Sequence, residues 1–259
     1  MKGLQPYSRI WLTGAGSGIG EALALQLAKA GHSVVITARS EASLQALARQ
    51  SERFIAAAAD VTDPQALSEV ATLIQARLGG LDCVILNAGT CEYLNDGRVD
   101  SALVRRVMET NFMGLVHCID VAQPLLANSH SARLVAISSA AAYAPLPRAE
   151  AYGASKAAVS YFMETLRLDL AQQGVAVTVV YPGFVKTPLT DRNDFPMPMR
   201  VTAEAMAAAI HQGLVKGKPE IRYPKLFVGL VRCLGRLPFF IRTRLGLKMV
   251  RQKDGASHG

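Results

Sequence analysis

Tyr152 and Lys156 stand four residues apart at the start of a stretch that reads as a helix, which puts both side chains on one face. An ammonium beside a phenol stabilises the phenolate and brings a proton donor of pKa about 10 toward working pH. Such a pair suits the reduction of a carbonyl, with hydride delivered to carbon by a nicotinamide and a proton delivered to oxygen by the phenol. On its own the pair is a weak signal, because Tyr and Lys at this spacing usually form a solvated helix face. It gains weight from a second stretch far upstream, Thr13-Gly14-Ala15-Gly16-Ser17-Gly18-Ile19-Gly20.

That stretch is flanked on one side by Ser8 to Leu12, short, β-branched and aromatic. On the other side Ala22, Leu23, Leu25, Leu27 and Ala28 support a helix that stops at Gly31. Strand, glycine run and helix together make a phosphate cradle. Glycines at 14, 18 and 20 allow a sharp turn, close approach of a pyrophosphate and tight helix–sheet packing. The phosphates would meet the free N–H groups and positive dipole of the helix N-terminus, with Gly14, Ser17, Gly18, Ile19 and Gly20 as contacts. No Gly-Lys-Ser/Thr ending follows, so the run points to a dinucleotide and not a triphosphate. By itself it remains compatible with a flexible glycine turn.

The elements that would position these groups alternate along the chain. Ser33 to Ala38 reads as a strand ending at Arg39-Ser40. An acid there would bind ribose hydroxyls; Arg39, helped by Ser40, accommodates a 2′-phosphate and argues for NADP(H). A helix from Glu41 to Gln50 leads to a strand from Arg53 to Ala59. Asp60-Val61 then leaves that strand at the carboxyl edge, where ligands of open sheets bind. Asp63-Pro64 is an N-cap followed by Pro at the first helical position, opening a helix to Leu78 that ends at Gly79-Gly80. The apolar strand Leu81 to Leu86 breaks at Asn87-Ala88-Gly89, and residues 90–98 are polar and turn-rich.

Two helices follow, the second running from Thr110 to Asn128 with Asn111 near its start. A strand from Ala132 to Ser138 enters Ser139, and a proline-bearing loop from Ala144 to Ala149 precedes the helix from Tyr152 to Gln173. That helix is apolar on two sides, which predicts a second buried contact and thus a homodimer or homotetramer. Val175 to Tyr181 is a strand ending at Pro182-Gly183, followed by Val185 and Thr187. Residues 188–200, with three prolines and with Phe195, Met197 and Met199, read as a substrate lid with an apolar lining. A helix from Thr202 to Lys216 and a short strand from Glu220 to Tyr223 complete the pattern. The fold expected is α/β: one doubly wound Rossmann-type domain over residues 1–223, with a mostly parallel seven-stranded sheet, plus a helical extension over 224–259.

In order and spacing, the glycine run, Asp60, Asn87-Ala88-Gly89, Asn111, Ser139, Tyr152-Gly-Ala-Ser-Lys156 and Pro182-Gly183 through Thr187 resemble the classical short-chain dehydrogenase/reductase family. The resemblance runs from about residue 8 to residue 188. It implies that Tyr152 is the acid/base, that Ser139 hydrogen-bonds the substrate oxygen, and that Lys156 binds the nicotinamide ribose and lowers the pKa of Tyr152. It also implies that Asn111 holds a water in a proton relay and that Asp60 contacts adenine. The Asn87 strand end would shape the cofactor floor, and Thr187 with the Val185 backbone would hold the carboxamide. Ser139, not Ser138, lies thirteen residues before Tyr152, as the family pattern asks. One position departs: where some NADP-dependent members carry Lys or Arg before the second motif glycine, this chain has Ser17, so the phosphate preference leans on Arg39.

The 259 residues carry a net charge of +8, unevenly spread. From Lys216 to Lys253 there are eleven Lys or Arg and one acid, so that span carries +10 and the rest of the chain −2. The near-neutral body offers no polyanion surface, and no nucleic-acid partner is expected. Four scattered cysteines lack metal-ligand spacing, no metal site is expected, and a reduced cytoplasmic setting is the simplest reading. In the extension, Lys225, Arg232 and Arg236 fall on one side of a helical wheel, and Leu226, Phe227, Leu230, Val231, Leu234 and Leu237 on the opposite arc. Five charges within 226–250 argue against a membrane span. A basic amphipathic segment can instead lie on an anionic membrane surface, giving peripheral membrane association, or pack on protein. The expected function is NADP(H)-dependent interconversion of a carbonyl and a secondary alcohol on an apolar, lipid-like small molecule. The alternatives are a soluble reductase of small metabolites whose tail makes oligomer contacts, and a non-catalytic NADP-sensing binding protein.

Overall fold

A computed structural model describes residues 3–94 and 97–250; the final nine residues of the predicted extension lie outside the described residues. Seven parallel strands form one sheet in the order β3-β2-β1-β4-β5-β6-β9. These are β1 (Arg9–Thr13), β2 (Ser33–Thr37), β3 (Phe54–Ala56), β4 (Cys83–Leu86), β5 (Arg133–Ile137), β6 (Ala176–Pro182) and β9 (Glu220–Tyr223). Between the last two a two-residue ladder joins β7 (Val185–Lys186) to β8 (Val201–Thr202). The sheet strands are near-continuous runs of buried apolar residues, as expected of strands covered on both faces.

Helices α1 (Gly18–Lys29), α2 (Glu41–Ala48) and α7 (Ala203–Val215) cover one face around Leu23, Leu27, Leu44 and Ile210. Helices α3 (Pro64–Leu78), α5 (Gly114–Leu126) and α6 (Glu150–Ala171) cover the other around Leu67, Ile74, Leu115 and Val159. Local chemistry sets their ends. Asp63 accepts from the backbone N–H groups of Gln65 and Ala66 at 3.0 and 3.2 Å, and Gly79 closes α3 in the left-handed region at φ +67°.

The chain builds outward from β1 to β3, then crosses back to lay β4 on the other side of β1. At that reversal the loops after β1 and β4 diverge and leave a crevice at the carboxyl edge, the place where open α/β sheets bind ligands.

Two expectations about elements change. Asn111 does not begin a helix; α4 (Ser101–Met108) runs through a π-turn, Glu109–Met113, directly into α5. The strand expected over Arg53 to Ala59 is regular only over Phe54–Ala56, although Ala57 N and Ala59 N still donate to the carbonyls of Ile36 and Ala38 at 3.0 and 3.1 Å.

The extension forms α8 (Lys225–Arg236) and α9 (Phe239–Met249). The apolar arc read on α8 divides: Val231 is buried beside Val228, which lies outside that arc, with Phe227 and Leu234 packed against the same core, while Leu226 and Leu230 face solvent. Gly235 permits the docking, since a Cβ there would stand 1.8 Å from the carbonyl oxygen of Tyr143. No residue of α9 is buried.

Candidate active site

The glycine turn is built for close approach. Gly14 sits at φ +67° with Ala88 and Asn87 so near that a Cβ would meet them at 2.7–2.8 Å. Thr13 Oγ1 accepts from the backbone N–H groups of Asn87 and Ala88 at 3.1 and 3.2 Å. Asn87 Nδ2 donates to the carbonyls of Thr13 and Gly14 at 3.2 and 2.9 Å, locking the ends of β1 and β4 together. At the start of α1, Ser17 is the N-cap but makes no side-chain cap hydrogen bond, which leaves the first-turn N–H groups for an anion.

These elements open into a cleft of about 780 Å³. Its walls carry Gly14, Ser17, Gly18, Ile19, Arg39, Ser40, Asp60, Val61, Asn87, Ala88 and Gly89 from the first half of the chain. Ser139, Tyr152, Lys156, Pro182, Gly183, Val185 and Thr187 come from the second. Two sequence-predicted residues stand behind the wall. Gly20 is buried, and a Cβ on it would stand 2.0 Å from the carbonyl of Gly14, so its role is helix–turn packing. Asn111 is buried in the π-turn, a feature that often marks functional sites. Its Oδ1 accepts from Thr90 N at 2.7 Å, and its Nδ2 donates to Thr90 O and Ser155 Oγ, each at 2.9 Å. The amide thus straps the chain after β4 to α6.

Lys156 is buried, and its Nζ donates to the carbonyl of Ile137 at 2.9 Å and lies 5.9 Å from the Tyr152 ring centre. Burial lowers its pKa to about 8. Tyr152 moves the other way: burial, then the nearby Cys91, push the phenol up to about 12 against the lowering effect of its hydrogen bond with Ser139. Burial is the largest cause acting on the phenol in this geometry, in which the Lys156 Nζ is held on the Ile137 carbonyl. The two neighbouring serines separate by partner. Ser138 spends its hydroxyl on Lys156 O and Ser160 Oγ, at 3.0 and 2.8 Å, whereas Ser139 faces Tyr152 and caps the short turn Ala140–Ala142.

Asp60 Oδ1 accepts from the backbone and hydroxyl of Thr62 at 2.9 and 2.8 Å, which fixes the β3 exit. Arg39 is exposed at the end of β2, on the cleft wall beside Ser40. Loop 188–200 contributes Pro188, Leu189, Thr190 and Arg192 to the cleft. Phe195, Met197 and Met199, the apolar lining expected of the lid, are not on that wall. Phe195 packs edge-on to Tyr93 at 5.7 Å and against Phe184 at 6.1 Å, and Phe184 in turn meets Phe227 of α8 at 5.2 Å. The loop is latched further by Tyr93 Oη donating to Asn193 Oδ1 at 2.8 Å and by the Arg148–Asp194 pair at 2.6 Å.

Sequence reasoning missed Thr90, Cys91, Tyr93, Ser155 and the Glu92–Arg106 pair, which closes at 2.8 Å on the cleft wall. Residues 90–98 carried only a polar, turn-rich signal, and Thr90 is placed by the Asn111 strap. Among the described residues no His, Cys, Asp or Glu cluster could hold a metal, and all four cysteines are free.

The family model described as short chain dehydrogenase matches residues 8–195. An oxidoreductase of Myxococcus xanthus is 37% identical over 222 residues, covering 84% of this chain and 88% of that protein. The 11-beta-hydroxysteroid dehydrogenase A of Sesamum indicum is 37% identical over 201 residues, 75% of this chain and 57% of that protein. A short chain dehydrogenase/reductase from Burkholderia phymatum, solved in complex with NAD, superposes with a TM-score of 0.81 at 22% identity, over 88% of this chain and 94% of that one.

Proposed function

The chain belongs to the short-chain dehydrogenase family of oxidoreductases acting on CH–OH and C=O groups, and we propose that it interconverts a carbonyl and a secondary alcohol on an apolar, lipid-like molecule with NADP(H). The observation that carries this reading is the convergence of Ser139, Tyr152 and Lys156 on one wall of a cleft whose other end is the glycine turn. The uncapped start of α1 and the cavity beside Gly14 and Gly89 fit a dinucleotide.

When bound, the nicotinamide supplies the hydride. Ser139 and Tyr152 share the cleft wall, with Ser139 acting on the phenol, and so can address one substrate oxygen. With its pKa pushed up to about 12, Tyr152 is a neutral phenol at neutral pH, the form that donates a proton in the reductive direction. Lys156, anchored by Ile137 O, keeps its remaining donors for a ribose. Because both ends of the Asn111 amide are committed, a relay water at this residue would be held by its backbone oxygen.

Arg39 at the end of β2, with no acid in its place, supports a 2′-phosphate. The NAD in the Burkholderia phymatum protein speaks for the fold at 22% identity and not for this preference. An apolar substrate is supported by the ring cluster Tyr93, Phe184, Phe195 and Phe227 near the catalytic wall and by the steroid named for the Sesamum indicum relative. On α6, Tyr161 and Leu168 stay 78% and 71% exposed on one face, which supports a homo-oligomeric contact there. Initial rates with NADPH and NADH across ketosteroids, long-chain ketones, sugars and quinones test the reading. Faster turnover with NADH, or with sugars, overturns it.

A further inference from the structure

Nine of the fifteen large apolar residues left exposed among the described residues fall within 226–250. Residues 225–250 carry Lys225, Arg232, Arg236, Arg242, Arg244 and Lys248 and no acid. None of these six pairs with a carboxylate among the described residues. Helix α8 uses one side, Val228, Val231 and Gly235, to dock on the body, and turns Leu226 and Leu230 outward. Helix α9 is held to it by Arg242 Nη1, which donates to the Gly235 carbonyl at 3.2 Å. Its three most exposed apolar residues, Phe239, Phe240 and Leu247 at 74, 72 and 67%, share one arc. Arg244 and Lys248 border that arc on one side and Arg242 on the other.

We propose that α8 and α9 form a docking surface for an anionic phospholipid bilayer. Exposed Phe and Leu flanked by cations match an interface of acyl chains beneath anionic headgroups, where apolar burial and charge attraction act together. A second copy of this chain is the poorer occupant, because it would bring six more cations and no acid into the contact. Among the described residues no helix is long and apolar enough to cross a membrane, so the contact is peripheral. Docking would also bring the lipid surface to the side of the protein where Phe227 of α8 meets Phe184 and, through it, Phe195 of the 188–200 loop. The surface stands apart from the catalytic wall, so its test does not depend on the substrate.

Deleting the extension would uncover Val228 and Val231, so point variants of the full chain are the cleaner probe. Flotation is measured with phosphatidylcholine vesicles with and without phosphatidylglycerol, for wild type, for Phe239→Ser/Phe240→Ser and for Arg244→Gln/Lys248→Gln. Wild type should float with the anionic vesicles and stay down with the neutral ones. The charge variant should lose affinity roughly fivefold per cation removed, and the Phe variant at least about tenfold. Both variants should keep their NADPH affinity and thermal midpoint. The proposal is overturned if wild type does not float with anionic vesicles or if both variants float as it does. It is equally overturned if the Phe variant changes only the oligomeric state, which assigns the surface to a second copy.

Discussion

The body of this protein and its last two helices use the same residue types in opposite ways. Up to Tyr223, large apolar side chains converge on two cores, one on each face of the sheet, and every ion pair among the described residues lies in this part. Beyond Pro224 a third of the large apolar residues of α8 and all those of α9 face outward, and the cations find no carboxylate among the described residues. A sheet covered on both sides satisfies its apolar groups internally; a helix pair resting on one edge cannot, and needs a further surface. The boundary between the two behaviours runs along α8 itself.

The largest expected effect lies where the body buries polar groups. Tyr152→Phe should lower kcat by about a thousandfold, in the range a positioned general acid contributes, while NADPH still binds in a fluorescence titration. Retained turnover would favour the NADP-sensing reading. The buried His32, edge-on to the half-buried His211, gives a second break in the comparison. His32 Nδ1 accepts from Ser8 N at 3.1 Å, and burial, then His211 and Arg53, hold its pKa down at about 4 against 6.5 in the open chain. Stability should be intact above pH 6.5 and fall progressively between 6.5 and 4, by up to about 3 kcal/mol, as the unfolded chain takes up the proton first. His32→Gln should flatten that slope in thermal unfolding followed against pH.

Gly235→Ala probes the boundary. Its Cβ would collide with the backbone of Tyr143, and overpacking of about 1–3 kcal/mol should outweigh a helix-propensity gain of up to about 1 kcal/mol. A lower thermal midpoint makes α8 part of the body; an unchanged or raised one makes it an appendage. Arg39→Ala should cost about tenfold in kcat/KM with NADPH and little with NADH, the loss of one charge-assisted contact at an exposed site. The smallest effect is expected at the far end. Phe239→Ser should shift stability by less than about 0.5 kcal/mol, because no residue of α9 is buried, and a large drop in chemical denaturation would place α9 in the core.

Much of the body was legible in the chain because its signals are local. The strand before Gly14, the caps at Asp63 and Gly79, and the breaks at Asn87 and Pro182 are each written within a few neighbouring residues, and their alternation implies a parallel sheet. The gathering of the glycine turn, Asn87 and Pro182 at one cleft was legible for the same reason, since carboxyl ends of parallel strands share one edge. The start of the loop after β4 was not, because Thr90 is held by Asn111, which reaches it from a π-turn that no periodicity announces.

Residue order alone determined the strand–helix alternation and the glycine turn, since each depends on backbone preference and spacing along a single segment. Three-dimensional packing decided which way the phenol titrates, which half of the α8 arc is covered, and that Phe195 stacks on Tyr93 instead of lining the cleft. Burial and ring contact are set by neighbours distant in the chain, so no pattern within one segment contains them.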